Sequence, residues 1–345
     1  MTDYSNVKKP AFFIPFFDYY HNLGLIQYAD DNLNDVHLLN PQAKHSIQID
    51  NNTTSWSYNI QLHTPALVKN MAGEDGYFYI FILGHNLSHR NCKFRLDIRQ
   101  GDNWNQGGNL EEIVNYPGTG TVPSQNGFSI YRAQWLAADK VEEFRLKATS
   151  DNPSAGKLKL GCVSLCGKYN PPTSPDLSLT MSRQFDGVNT FETVGGATLS
   201  NALYTRAPAW QTGFPWELSD SDLDNDNARI QESRTLGRKY WDLKFSYLQD
   251  SAIMPKTESF GDPTDPNYWL NNEHEGTIVN SNTFFSKVLN KVQGSHLPFI
   301  FLPNDSDPDY NTDQWTICRF DQESFDISQV ANSVYNMKLK IKEVW

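Results

Sequence analysis

The seven residues Tyr77–Leu83, YFYIFIL, carry an aromatic or aliphatic side chain at every position. A strand with one wet face alternates polar and apolar residues, so a short uniform run predicts a strand buried on both faces. The rest of the chain must then supply a layer on each side of it. Lys93–Arg99, KFRLDIR, follows with Phe94, Leu96 and Ile98 alternating against charges, the pattern of a half-exposed strand. Phe128–Ala133, Glu143–Lys147 and Lys157–Cys166 continue the series, although AQWLAADKVEEF before the middle one could also form a helical turn. Clusters of Asn, Asp, Gly, Pro and Ser separate these runs, the punctuation of an all-β protein.

With 345 residues the chain has room for two domains, each able to bury its own core. The stretch KYNPPTSPD, 168–176, holds three prolines and predicts an extended linker. Beyond it, Leu177–Arg183 opens a second series. Arg238–Leu248 is its clearest strand, with Trp241, Leu243, Phe245 and Tyr247 on one face. Thr283–Gln293 has apolar residues at helical spacing (Phe285, Val288, Leu289, Val292), with Asn282 to cap its start and Gly294 to end it. Leu297–Leu302, Gln314–Phe320 and Val334–Val344 read as strands. In the last, Tyr335, Met337, Leu339 and Ile341 face a core, and Asn336, Lys338, Lys340 and Lys342 face water. Two connections, 184–237 and 249–281, exceed what a compact domain carries as plain loop, and assembly contacts are their natural use.

The N-terminal MTDYSNVKKPAFFIPFFDYY superficially suggests a signal peptide, but Pro10, Pro15 and Asp18 argue against one. Residues 1–34 are read as an extended arm that lays its phenylalanines on a neighbouring surface. The remaining boundaries are 35–168 for an N-terminal β-sandwich and 171–345 for a C-terminal β-rich, ring-forming domain with helix 283–293.

Net charge is −11, divided as −1 over residues 1–170 and −10 over 171–345. An acidic chain without a basic stripe in its sequence disfavours direct contact with nucleic acid. No segment approaches the ~20 apolar residues of a membrane helix, so no membrane insertion is expected. Cys92, Cys162, Cys166 and Cys318 are too few for a disulfide framework. On one strand, Cys162 and Cys166 would lie ~13 Å apart at the usual rise, so all four read as buried thiols of a chain folded in a reducing cytoplasm.

Several constellations bear on chemistry. His85 and His89 in HNLSH have the i, i+4 spacing of metal ligands, but HExxH is absent and the segment reads as a turn. Asp220, Asp222, Asp224 and Asp226 alternate like the start of a calcium loop, yet Asn225 and Gln231 stand where that loop needs Gly and Glu. The acids are read as lying outside apolar runs, with Asp97 and Asp242 pointing outward on their strands. There is no nucleophile elbow and no phosphate loop. The expectation is therefore no enzyme, no catalytic residue, no metal and no cofactor. Trp104 in DNWNQGGN is a candidate to stack on a sugar ring, whereas Trp135, Trp210, Trp216 and Trp241 are read as anchors of cores and interfaces.

The run YFYIFILGHNL (77–87) resembles a segment in the β-sandwich modules of phage tail proteins. SPDLSLTMSRQFDGVNTFETVGGATLSNALY (174–204), GRKYWDLKFSYLQDS (237–251), LPFIFLPND (297–305) and YNMKLKIKEVW (335–345) resemble virion structural proteins of marine tailed phages. No catalytic residue carries over from them. The layout of the second half is similar to the tail-tube and distal-tail fold, a β-sandwich with a flanking helix that assembles into rings. The resemblance implies a mainly β fold of two sandwich-like domains and a structural role in the virion tail (distal tail, baseplate or adaptor ring). The protein would be made in the host cytoplasm. Its expected partners are further copies of itself in a cyclic ring and other tail or virion proteins. The alternatives are a carbohydrate- or receptor-binding tail module with a host-surface glycan as ligand, and a capsid decoration or connector protein.

Overall fold

The computed structural model describes residues 7–29, 35–39, 47–49, 55–67, 73, 75–88, 91–101, 103–106, 110–113, 123, 127–133, 140–150, 158–184, 188–202, 237–258, 277–279, 281–306 and 315–344. Up to the proline-rich stretch the strands are β1 (Ala11–Pro15), β2 (Ile26–Ala29), β3 (Ile47–Ile49), β4 (Ser55–Leu67), β5 (Phe78–Leu83), β6 (Cys92–Gln100), β7 (Asn103–Gln106), β8 (Glu111–Glu112), β9 (Phe128–Ala133), β10 (Lys140–Ser150), β11 (Leu158–Leu160) and β12 (Cys162–Tyr169). After it come β13 (Thr180–Gln184), β14 (Val188–Glu192), β15 (Thr198–Ala202), β16 (Arg238–Gln249), β17 (Phe299–Leu302), β18 (Thr316–Phe320), β19 (Ile327–Ala331) and β20 (Val334–Glu343). Two short helices, α1 (Phe16–Asn22) and α2 (Asp250–Ile253), accompany them.

The fold is mainly β, built from large antiparallel sheets. Eleven strands make one sheet in the order β13-β16-β20-β18-β17-β1-β12-β5-β9-β8, with β19 also paired to β20. A second sheet, β2-β4-β10-β6-β7, packs over part of it. The run YFYIFIL lies where the sequence demands. Phe78, Ile80 and Ile82 of β5 face a core shared with Tyr58, Ile60, Phe94, Leu96, Phe144 and Leu146 of the second sheet. Tyr79, Phe81 and Leu83 face the other way, into a core with Phe13, Ile300 and Trp315. A third core lies under the second half of the chain, where Trp241, Leu243, Leu339 and Ile341 meet Phe284, Val288 and Val292.

Residues 11–22 correct the expected arm of residues 1–34. Strand β1 lies inside the large sheet, paired antiparallel to β12 on one side and to β17 on the other. Phe12 and Phe13 point to opposite faces and both are buried. The logic of YFYIFIL holds for AFFIP as well: an apolar segment with no polar face is stable only where both faces are covered. Pro15 marks the end of the strand and precedes α1, whose Phe16 and Phe17 enter the core under the second sheet. The strand therefore joins sheet segments from the two sides of the linker. Across that seam Lys168 Nζ lies 2.7 Å from Asp305 Oδ2, and Asn170 Nδ2 donates to the carbonyl of Pro10 and to Asp305.

The expected helix 283–293 is corrected too. Residues Phe285–Leu289 form a π-helical turn, with Asn290 N–H bonded to the Phe285 carbonyl. The wider turn buries Phe284, Val288, Leu289 and Val292 and leaves Phe285 partly exposed. Thr283 Oγ1, rather than Asn282, accepts the hydrogen bond at its start, from Ser286 N–H at 3.3 Å. Gln293 (φ 53) and Gly294 (φ 71) end it in the left-handed region. Lys157–Cys166 is two strands, divided at Gly161.

Candidate functional site

The candidate residues for chemistry sit in ordinary structural surroundings. His85 sits in the turn after β5, where Gly84 (φ 63) reverses the chain. Its Nδ1 accepts from Leu87 N–H at 3.3 Å, so the proton is on Nε2, which donates to Ser129 Oγ at 3.0 Å. Complete burial holds its pKa down at about 3, so the ring is neutral. His89 and Asp220–Asp226 lie outside the described residues, as do Trp135, Trp210 and Trp216. Among the described residues no cluster of three or more His, Cys, Asp or Glu could hold a metal, and no helix is long and apolar enough to cross a membrane. Cys92, Cys162, Cys166 and Cys318 are free thiols in the interior. Trp241 is a core residue.

Asp97 and Asp18 depart from expectation. Asp242 is exposed, but Asp97 is 1% exposed and held by two arginines. Arg95 Nε and Arg145 Nη2 each stand 2.7 Å from one of its oxygens. Trp104 lies beside this knot with its ring 4.1 Å from the Arg145 guanidinium, a cation–π contact. The side chain thus points to the outer face as alternation required, and a lid of guanidinium groups buries it there.

Asp18 sits in the apolar run PFFDYY, a signal present in the sequence and missed. Its carboxyl is buried, accepts from Leu39 N–H, and is pushed up to about 7 by that burial. Close by, His37 Nδ1 shares a hydrogen bond with Tyr58 at 2.8 Å, and burial holds its pKa near 4.

The exposed features concentrate at the far edge of the large sheet. Among the described residues strand β13 pairs with β16 alone. Past it, β14 and β15 pair among the described residues with each other alone, with Phe191 opposite Leu199. Every residue from Asn189 to Ser200 is exposed; Phe191 is 57% and Leu199 58% open to solvent. Val194 at the tip and Leu177 before β13 are fully open. Tyr247, also exposed, stands at a bulge in β16 with φ 59, where its N–H bonds the Asn336 side chain. A positive φ on an aromatic residue is strained. The Ser246–Asp176 hydrogen bond, 2.6 Å, brings the backbone next to Tyr247 and Leu177 together.

No protein-family model matches this chain, and no curated protein matches it.

Proposed function

We propose that this protein is a structural component of a tailed-phage virion, in the tail as a distal-tail, baseplate or adaptor ring, and that it acts by assembly with copies of itself. The observation that carries the assembly reading is the β14–β15 hairpin. A lone two-stranded ribbon is marginal in water, and one that exposes a Phe–Leu cross-strand pair gains its stability on another surface. Strand β13, which among the described residues pairs only with β16, is a sheet edge and a second invitation to pairing. The virion setting rests on the resemblance of the second half to virion structural proteins. The glycan alternative leans on Trp104, and that ring is engaged by Arg145, which favours assembly.

Sedimentation velocity with negative-stain imaging of the purified chain tests the proposal. Rings or closed oligomers are expected, and Phe191→Ser with Leu199→Ser should shift them to monomers without lowering the melting temperature. A wild-type chain that stays monomeric at all concentrations would count against it.

A further inference from the structure

The tertiary structure gathers cations that are scattered in the sequence onto one sheet face. Along β20, Met337, Leu339 and Ile341 enter the core, while Lys338 and Lys340 are exposed and Lys342 half-buried on the opposite face. Adjacent strands add like charge. Lys244 of β16 stands directly opposite Lys338, and exposed Arg319 of β18 stands opposite Lys342. Within these paired positions Asp242, opposite Lys340, is the only carboxylate on that face; Asp176 reaches Lys244 from outside it at 3.4 Å. Like charges directly opposite each other destabilise a sheet. An anionic surface laid over them turns that repulsion into attraction.

An acidic segment borders the same face. The connection from β18 to β19 exposes Asp321, Glu323 and Asp326. It is anchored beside β20, because Asp321 N–H donates to the Lys340 carbonyl and the Gln322 side chain accepts from Lys340 N–H at 2.7 Å. The basic face and the acidic rim lie side by side on one subunit, where Asp321 already acts on Lys342, so a second copy can set each against its opposite charge. The remainder of a chain with net charge −11 makes any second copy an anionic body in its own right.

We infer that the basic face formed by Lys244, Lys338, Lys340, Lys342 and Arg319 receives the acidic connection Asp321–Asp326 of a second copy of this chain. The inference rests on the assembly reading and adds the electrostatic surfaces that set its register.

The test is sedimentation velocity of the full chain at about 0.05 M and about 1 M salt, where the Debye length shrinks to ~3 Å. Self-association should weaken with salt. Lys338→Glu with Lys340→Glu should weaken it about tenfold at low salt and little at high salt. Adding Asp321→Lys and Glu323→Lys to that variant should restore association, because the swapped charges again complement. All four positions are exposed, so unchanged thermal melting confirms that each variant folds. Association indifferent to the lysine reversal, or not restored by the swap, overturns the inference. If Phe191→Ser dissolves the oligomer while the lysine variant does not, assembly stands and this contact falls. Fluorescence anisotropy with a single-stranded oligonucleotide guards the remaining case. Binding lost in the lysine variant with self-association intact would make the face a nucleic-acid surface and overturn the inference.

Discussion

The ring of Phe13 packs 5.0 Å from that of Trp315, centroid to centroid, so the N-terminal strand is locked to the far end of the chain. Phe13 is also within 5.3 Å of Phe81, on the strand that first constrained the fold. Phe13→Ala should therefore cost about 3–5 kcal/mol, as removal of a fully buried aromatic does. Deleting residues 1–22 should abolish folding, because β12 and β17 would each lose a partner. Denaturant unfolding with far-UV circular dichroism checks both. A deletion variant with native-like spectra would return β1 to the status of a dispensable arm.

Leu339 and Lys340 are neighbours with opposite fates. Leu339 is fully buried opposite Leu243, and Lys340 is exposed opposite Asp242. Leu339→Ala should cost roughly 2–5 kcal/mol, whereas Lys340→Ala should fall within about 0.5 kcal/mol of wild type. Chemical denaturation of the two variants decides. Equal effects would mean that the register of β20 is not the one described.

Asp97 anchors the outer face of the second sheet. Its replacement by Ala leaves the Arg95 and Arg145 groups without their carboxylate, both of them about a third exposed and able to recruit water. The expected loss is about 1.5–3 kcal/mol, the range for hydrogen bonds to a charged group. Asp97→Asn should recover part of it. The stability of these two variants against guanidinium measures this directly, and a neutral Asp97→Ala would show that the pairs contribute nothing.

Buried titratable groups give stability an opposed pH dependence. Asp18 has its pKa raised by burial from 3.8 to about 7. The native state then binds more protons than the unfolded state between those values, and Asp18 removes stability as pH rises through that window. His37 and His85 are shifted the other way, from 6.5 to about 4 and about 3, again by burial. They contribute stability above pH 6.5 and lose it as the pH falls toward those values. Between pH 6.5 and 4 two histidines oppose one aspartate, so net stability should decline on acidification. Asp18→Asn removes the compensating group. That variant should exceed wild type at pH 8 by about 2–4 kcal/mol, converge with it near pH 4, and lose stability more steeply in between. Denaturation midpoints across that range test the sign, and a variant weaker than wild type at pH 8 would refute it.

Local pattern made some of this molecule legible. YFYIFIL and the alternation in KFRLDIR, RKYWDLKFSYL and YNMKLKIKEVW identify β5, β6, β16 and β20, because a period of two and its absence report directly on how many faces are covered. AFFIP carried the same information, but two prolines and an N-terminal position made an arm the simpler reading. The long strand β4 was not foreseen at all. Its segment, SWSYNIQLHTPAL, has an alternation easily taken for loop.

The chain by itself determined a mainly β protein with doubly buried strands and free, buried cysteines, since burial demand is written in side-chain chemistry residue by residue. Only the tertiary structure decided that β1 would join segments from both sides of the linker in one sheet, that Asp97 would be buried by arginines from its own and the neighbouring strand, and that dispersed lysines would share a face. Strand pairing is non-local. Which residues become neighbours depends on the register between segments far apart in the chain, and neither composition nor periodicity encodes that register in any single stretch.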